Sequence, residues 1–314
     1  MEKSRREFLK EVAVLGAGAW TLGACARSAA RVAAAAASPS FVRPTIANAG
    51  IQLFTVRDRL GDSFERTLAG LAEIGYREVE PFTYGSYTPE QIRGMLDRTG
   101  LRAPSTHVTL RPGPDLERML AGFQAMGHRY ARAGGAAPTR GPTAPTLDTV
   151  QRSIADYHEV ARAAKPYGIK VIVHNHTEEF ALLPDGRTPY DVMLAQLDPS
   201  LVVLELDIGW ATVAGKDALA LFEAHPGRFP LWHVKDMANL AAVNANGNDQ
   251  VARMRAARIV PVGQGEIDYG PIFAAAGTAG LEHYFVEQDS APESGDSLAA
   301  ARTSFERVRT ILQG

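Results

Sequence analysis

Residues 171–180 read VIVHNHTEEF. An apolar, β-branched run leads into His174 and His176, two residues apart. On a strand, residues two apart share a face, so both imidazoles project from the same side of a buried strand. The chain of 314 residues holds only 8 histidines, so the pair is conspicuous. The strand stands between two helical patterns. TLDTVQRSIADYHEVARAAKPYG precedes it and TPYDVMLAQLD follows it, each with apolar residues at helical spacing.

The same alternation runs outward in both directions. GIQLFTV predicts a first strand and SFERTLAGLAEIGY its helix. REVEPF is the second strand; TPEQIRGMLDRTG follows, with a Thr cap and Pro at its start and Gly at its end. LRAPSTHV and HRYARAGGAAP are the third and fourth strands, separated by the helix of GPDLERMLAGFQAMG. LVVLELD, FPLWHVKD and LEHYFVEQD are the sixth, seventh and eighth. GKDALALFEAHPG, DYGPIFAAAGTAG and SLAAARTSFERVRTILQ supply the remaining helices. MANLAAVNANGNDQVARMRAARIV, after the seventh strand, reads as a long irregular insertion, a lid over the mouth or an oligomer contact. Eight β/α units of this length fit a closed barrel better than an open doubly wound sheet. QLFTVRD also lacks the Gly-rich phosphate turn that opens many open sheets. The expected fold is therefore an α/β (β/α)8 TIM barrel over residues 46–314.

Residues 1–45 are expected to stand apart from it. Arg5 and Arg6 in SRREFLK, followed by VAVLGAGAWTLGA, read as a twin-arginine export signal and a tether. LGAC, ending at Cys25, resembles a lipobox in which that cysteine would carry a lipid anchor. Cleavage within RVAAAAASPS would discard it. The expected destination is the periplasm, free or membrane-anchored. With one cysteine, no disulfide forms within the chain. A net charge of −2 supplies no basic face for nucleic acid.

Barrel active sites form at the C-terminal ends of the strands. There the chain places Glu80, His107, His174, His176, Glu205, Asp207, His233, Lys235, Glu287 and Asp289. So many buried ionisable groups need a compensating cation or proton network. Imidazoles with carboxylates suit Mn, Co, Fe, Ni or Zn more than Ca. One divalent metal in an open, catalytic site is the expectation.

GIQLFTVRD, HNHTEEF, ELDIGW, HVKD, GQGEID and YFVEQD, in that order, resemble the xylose-isomerase-like TIM barrels of the sugar phosphate isomerase/epimerase family. The resemblance implies one metal held by Glu, Asp, His and Glu from the last four strand positions. Asp207, His233 and Glu287 match the last three. At the first, His174 stands where the family has glutamate, with His176 as an alternative ligand or substrate contact. The resemblance implies enediolate chemistry, with Glu287, His176 or Glu205 moving the proton. Glu179 could restore a second base. Lys235 would neutralise an oxyanion, or else be a rim lysine paired with Glu205 or Asp236. His107 and Glu80 would meet sugar hydroxyls, and Trp210 and Phe54 a sugar face. The expected activity is isomerisation or epimerisation of an unphosphorylated sugar or ketosugar. The alternatives are a lyase or hydratase of 3-keto sugars or keto-glycosides, and a non-catalytic sugar-binding barrel. A barrel endonuclease would need more metal ligands and a basic face.

Overall fold

The computed structural model describes residues 41–313, apart from 42, 62 and 135–144. The expected leader and Cys25 lie outside the described residues, as does the end of the fourth strand segment. Eight parallel strands form one sheet: β1 (Gly50–Gln52), β2 (Glu78–Glu80), β3 (Ser105–Leu110), β4 (Tyr130–Ala133), β5 (Lys170–His174), β6 (Val202–Asp207), β7 (Leu231–Val234) and β10 (His283–Val286). The order β2-β1-β10-β7-β6-β5-β4-β3 follows the chain around a nearly closed barrel. A separate antiparallel pair joins β8 (Asp236–Ala238) to β9 (Arg258–Val260).

The expected start and stop signals operate. Thr88 caps Pro89–Thr99 in a reciprocal box with Gln91, and Gly100 ends that helix at φ 69°. Thr146 and Thr188 open Leu147–Ala164 and Pro189–Gln196 in the same way. All eight strands are shorter than their sequence patterns, and in two of them the cause is visible. β1 stops at Gln52 because its side chain accepts from the Phe54 amide at 3.2 Å and turns Leu53–Val56 into a 3-10 helix. β3 starts only at Ser105, after Pro104, which has no amide to donate.

β2 and β3 close the barrel without a continuous ladder. Arg102 makes an isolated bridge to Glu78. The Val79 amide donates to the Arg102 carbonyl at 2.8 Å and the His107 amide to the Pro81 carbonyl at 2.7 Å. Side chains reinforce this seam. Tyr84, beyond β2, places its hydroxyl 2.7 Å from both Thr106 Oγ1 and His128 Nε2, while His128 Nδ1 donates to the Ala103 carbonyl at 2.6 Å.

The stretch after the seventh expected strand is ordered secondary structure rather than irregular chain. It contains β8, two short helices (Leu240–Asn244 and Gln250–Ala256) and β9. Asp236 organises its return. Its buried carboxylate accepts from the amides of Met237, Gly263, Gly265 and Ile267 at 2.8–3.2 Å. A Cβ at Gly265 would lie 2.2 Å from Asp236 Oδ1, which accounts for glycine in GQGEID. Asp236→Ala is expected to cost about 3–5 kcal/mol in denaturant unfolding, because it removes the buried acceptor of four amides at once.

His128 gives the fold a pH dependence. Burial pushes its pKa down to about 4, so the folded state keeps it neutral while the unfolded chain protonates near 6.5. Below that pH the unfolded state binds more protons. The His128 share of stability, about 3 kcal/mol, is therefore lost as pH falls from about 6.5 to about 4. His128→Gln should flatten melting temperature against pH in that window.

Candidate metal centre

The barrel interior is layered with a step of two residues. Tyr130, Ile172, Val203, Leu231 and Phe285 form a buried apolar cluster. Two residues further along the same strands stand Arg132, His174, Glu205, His233 and Glu287. Two further again come His176, Asp207, Lys235 and Asp289 on the last four strand positions. The strand period thus lifts one apolar floor into two polar tiers.

The polar tiers converge on His233. Its Nδ1 lies 2.7 Å from Glu287 Oε2, 3.1 Å from His174 Nε2 and 3.8 Å from Asp207 Oδ2. His174 Nε2 lies 3.5 Å from Asp207 Oδ2. His174, Asp207, His233 and Glu287 each offer one donor atom, all within 4.8 Å of one another. Donors bound to one ion at about 2.0–2.2 Å stand roughly 3.0–3.5 Å apart; the two His174 separations fall in that range, while His233 and Glu287, at hydrogen-bond distance, would part slightly to share an ion. The tautomer agrees. His233 Nε2 is 2.7 Å from Glu80 Oε2, which also accepts from Gln52 Nε2 at 2.7 Å. If Nε2 donates to Glu80, the Nδ1 lone pair faces Glu287 and Asp207, and only a second proton or a cation reconciles these acceptors. A second group of four, His107, His174, Glu205 and His233, is also close enough to consider. Its His107 Nε2–Glu205 Oε2 distance of 2.5 Å is that of a hydrogen bond, shorter still than the 2.7 Å between His233 and Glu287.

The electrostatics follow from burial and charge. Burial opposes a charge on His233, but Glu205 and Glu287 outweigh it and raise the ring's pKa well above that of a free imidazole. Burial, then the neighbouring His233 and His176 rings, drive His174 well below it. Against burial, His107 and His233 hold Glu80 down to about 2, and Lys235 and His233 hold Asp207 down to about 2. Burial and the Glu80 charge raise Glu205.

Lys235 is not a rim lysine. It is buried, and its Nζ lies 3.0 Å from Asp207, 2.9 Å from Glu287 and 2.8 Å from Asp289. The expected partners Glu205 and Asp236 are engaged elsewhere. Glu80, expected to meet sugar hydroxyls, is fully buried and spent on Gln52 and His233. Glu205 is buried behind His107. Trp210 packs with Val213, Met237 and Val243, its ring 5.0 Å from Lys235 Nζ. Glu179 accepts from the His176 amide at 2.7 Å. A cavity of about 340 Å³ opens above the donor group. His107, His174, His176, Glu287, Asp289 and Phe54 line it, as expected residues; Gln52, Phe82 and Arg132 line it as well. Arg132 had a detectable signal, its place two residues after Tyr130 in a weak strand. Gln52 had none, since its role depends on a neighbouring strand.

Metal titration of dialysed protein should give one divalent ion per chain. His233→Ala or Asp207→Ala should abolish it, and His107→Gln or His176→Ala should leave the stoichiometry intact. Glu80→Gln, which loosens the His233 ring without removing a donor, should weaken affinity by about 10–100-fold.

Known proteins resemble this chain in part of its sequence and in its fold. An inosose dehydratase of Geobacillus thermodenitrificans is 30% identical over 138 residues, covering 40% of this chain and 42% of that protein. One from Lactiplantibacillus plantarum is 27% identical over 169 residues, covering 52% and 54%. The chain thus spans about half the length of the curated relatives it matches. The crystal structure of a sugar phosphate isomerase/epimerase from Parabacteroides distasonis superposes with TM-score 0.66 at 20% identity, over 87% of this chain and 97% of that one. The structure of an L-ribulose 3-epimerase superposes with TM-score 0.60 at 16% identity, over 85% and 95%. The IOLI protein, crystallised with a bound zinc atom, superposes with TM-score 0.62 at 14% identity, over 85% and 98%. At these identities the structures establish the fold. The model of the xylose isomerase-like TIM barrel family matches residues 68–311, most of the chain, and the protein belongs to that family.

Proposed function

We propose that the protein is a metal-dependent lyase of keto-sugars, which removes the proton beside a carbonyl and expels the oxygen substituent β to it. One divalent ion on His174, Asp207, His233 and Glu287 would polarise the carbonyl and an adjacent hydroxyl and stabilise the enediolate. The observation that carries this reading is the division of the cavity. Glu287 and Asp289 extend from β10 on one side, and His107 and His176 extend from β3 and β5 on the other. Elimination needs a base and an acid, and the two walls supply one each.

Glu287 serves as the base. The C–H electron pair becomes the double bond of the enediolate, and its collapse breaks the β C–O bond. The product carries a carbon–carbon double bond conjugated with the carbonyl. His107, backed by Glu205 at 2.5 Å, returns a proton to the leaving oxygen. Lys235 holds Glu287 and Asp289 in place and is not the acid, since three carboxylates claim its ammonium. The dehydratase names of the two curated relatives favour elimination, and the expected export of the chain favours an unphosphorylated keto-sugar or keto-glycoside.

A second reading is isomerase or epimerase. The same two walls would serve it if the proton returned to carbon from the imidazole side, and the structural relatives named for those activities favour it. Incubating the metal-loaded protein with keto-sugars and keto-glycosides in deuterated water separates the two. Release of the β-oxygen group supports the lyase. Deuterium in an otherwise intact sugar overturns it in favour of the second reading. Bound metal with neither outcome leaves a sugar-binding barrel. His107→Gln is expected to lower kcat by about 10²–10⁴-fold with the metal still bound.

A further inference from the structure

The outer tier of the cavity is divided by chemistry. Its half on β5 and β10 presents His176 and Asp289, with Asp207 and Lys235 buried beneath them. Its other half, two residues beyond Gln52 and Glu80, carries Phe54 and Phe82. These two rings meet edge to face with centroids 5.2 Å apart, and both line the cavity that holds His107, His174 and Glu287. Each is only half-buried, so each leaves ring surface open to that space. The pair is held in place. The Arg57 guanidinium lies 4.2 Å from the Phe54 centroid, and it donates to the carbonyls of Phe54 at 3.0 Å and Asp289 at 2.7 Å. Gln52 pins the turn that presents Phe54.

A hydroxylated ring engaged by the donor group gains most from hydrogen bonds, and two phenyl rings at its edge offer none. They offer apolar and edge-to-face contact, which suits another aromatic ring. We propose that Phe54 and Phe82 form an aglycone subsite, so that the substrate is a glycoside with an aromatic aglycone rather than a free sugar. This rests on the lyase reading, in which the aglycone is the group expelled. The aglycone lies at the β1–β2 corner of the cavity while the sugar occupies the polar side.

The test is binding without turnover, so it stands apart from the deuterium experiment. The metal-loaded full chain is titrated calorimetrically with phenyl and methyl glucosides of both anomeric configurations. For at least one anomer, phenyl should bind about 10-fold or more tightly than methyl, and in Phe82→Ala the ratio should fall below about 3. Phe82→Leu, the safer variant for folding, should give an intermediate ratio, with melting temperature recorded for each. Phenyl-to-methyl ratios below 3 for both anomers in the parent protein overturn the proposal. A ratio unchanged by both Phe82 variants and by Phe54→Ala overturns it too. If phenyl selectivity holds but keto-glycosides release no aglycone in the deuterium experiment, the subsite stands and the lyase reading fails.

Discussion

The constraint on which the upper barrel depends is excess negative charge with little water. Glu80, Glu205, Asp207 and Glu287 all lie within 4 Å of one imidazole, His233, and the three on β2 and β6 are fully buried. Carboxylates so placed repel one another and have lost most of their hydration. Two cationic groups relieve them, the buried ammonium of Lys235 and the His233 ring. The arrangement is stable only while positive charge stays at its centre, as a proton or as a metal ion. The raised proton affinity of His233 and the suitability of the site for a metal are thus two expressions of one field.

That field explains how the inner shell is arranged. Glu80, held by Gln52, does not line the cavity and orients the ring of His233 from behind. Lys235 keeps Asp207, Glu287 and Asp289 gathered on one side. Asp236, one residue on, faces away and binds the backbone of the returning GQGEID segment. Adjacent residues of HVKD therefore perform two tasks on opposite faces of the chain, one electrostatic and one architectural.

Much of this was legible in the sequence because a strand has a period of two. His174 with His176, Glu205 with Asp207, His233 with Lys235 and Glu287 with Asp289 announce their shared face by spacing alone. What stayed hidden depends on neighbours distant in the chain. Nothing near Glu80 reveals that Gln52 and His233 will claim it, 28 and 153 residues away. For Lys235 the sequence left an oxyanion role and a rim pairing with Glu205 or Asp236 both open, because the reach of its side chain to β10 is not encoded locally. The segment after β7 looked irregular because its order comes from contacts distant in the chain: Asp236 binds amides at its two ends, buried Arg253 donates to the Val213 carbonyl, and Val243 packs on Trp210 and Val213.

The seam between β2 and β3 has its own consequence. Every other joint of the barrel is a run of paired strand residues, whereas this one is an isolated bridge, a few backbone bonds and the Tyr84–Thr106–His128 cluster. A ring of strands opens first where fewest bonds must break together. The amides of Val79, Arg102 and His107 are therefore the barrel's hinge line for solvent-driven breathing. Their protons should exchange with heavy water sooner than those in the middle of β5 and β6.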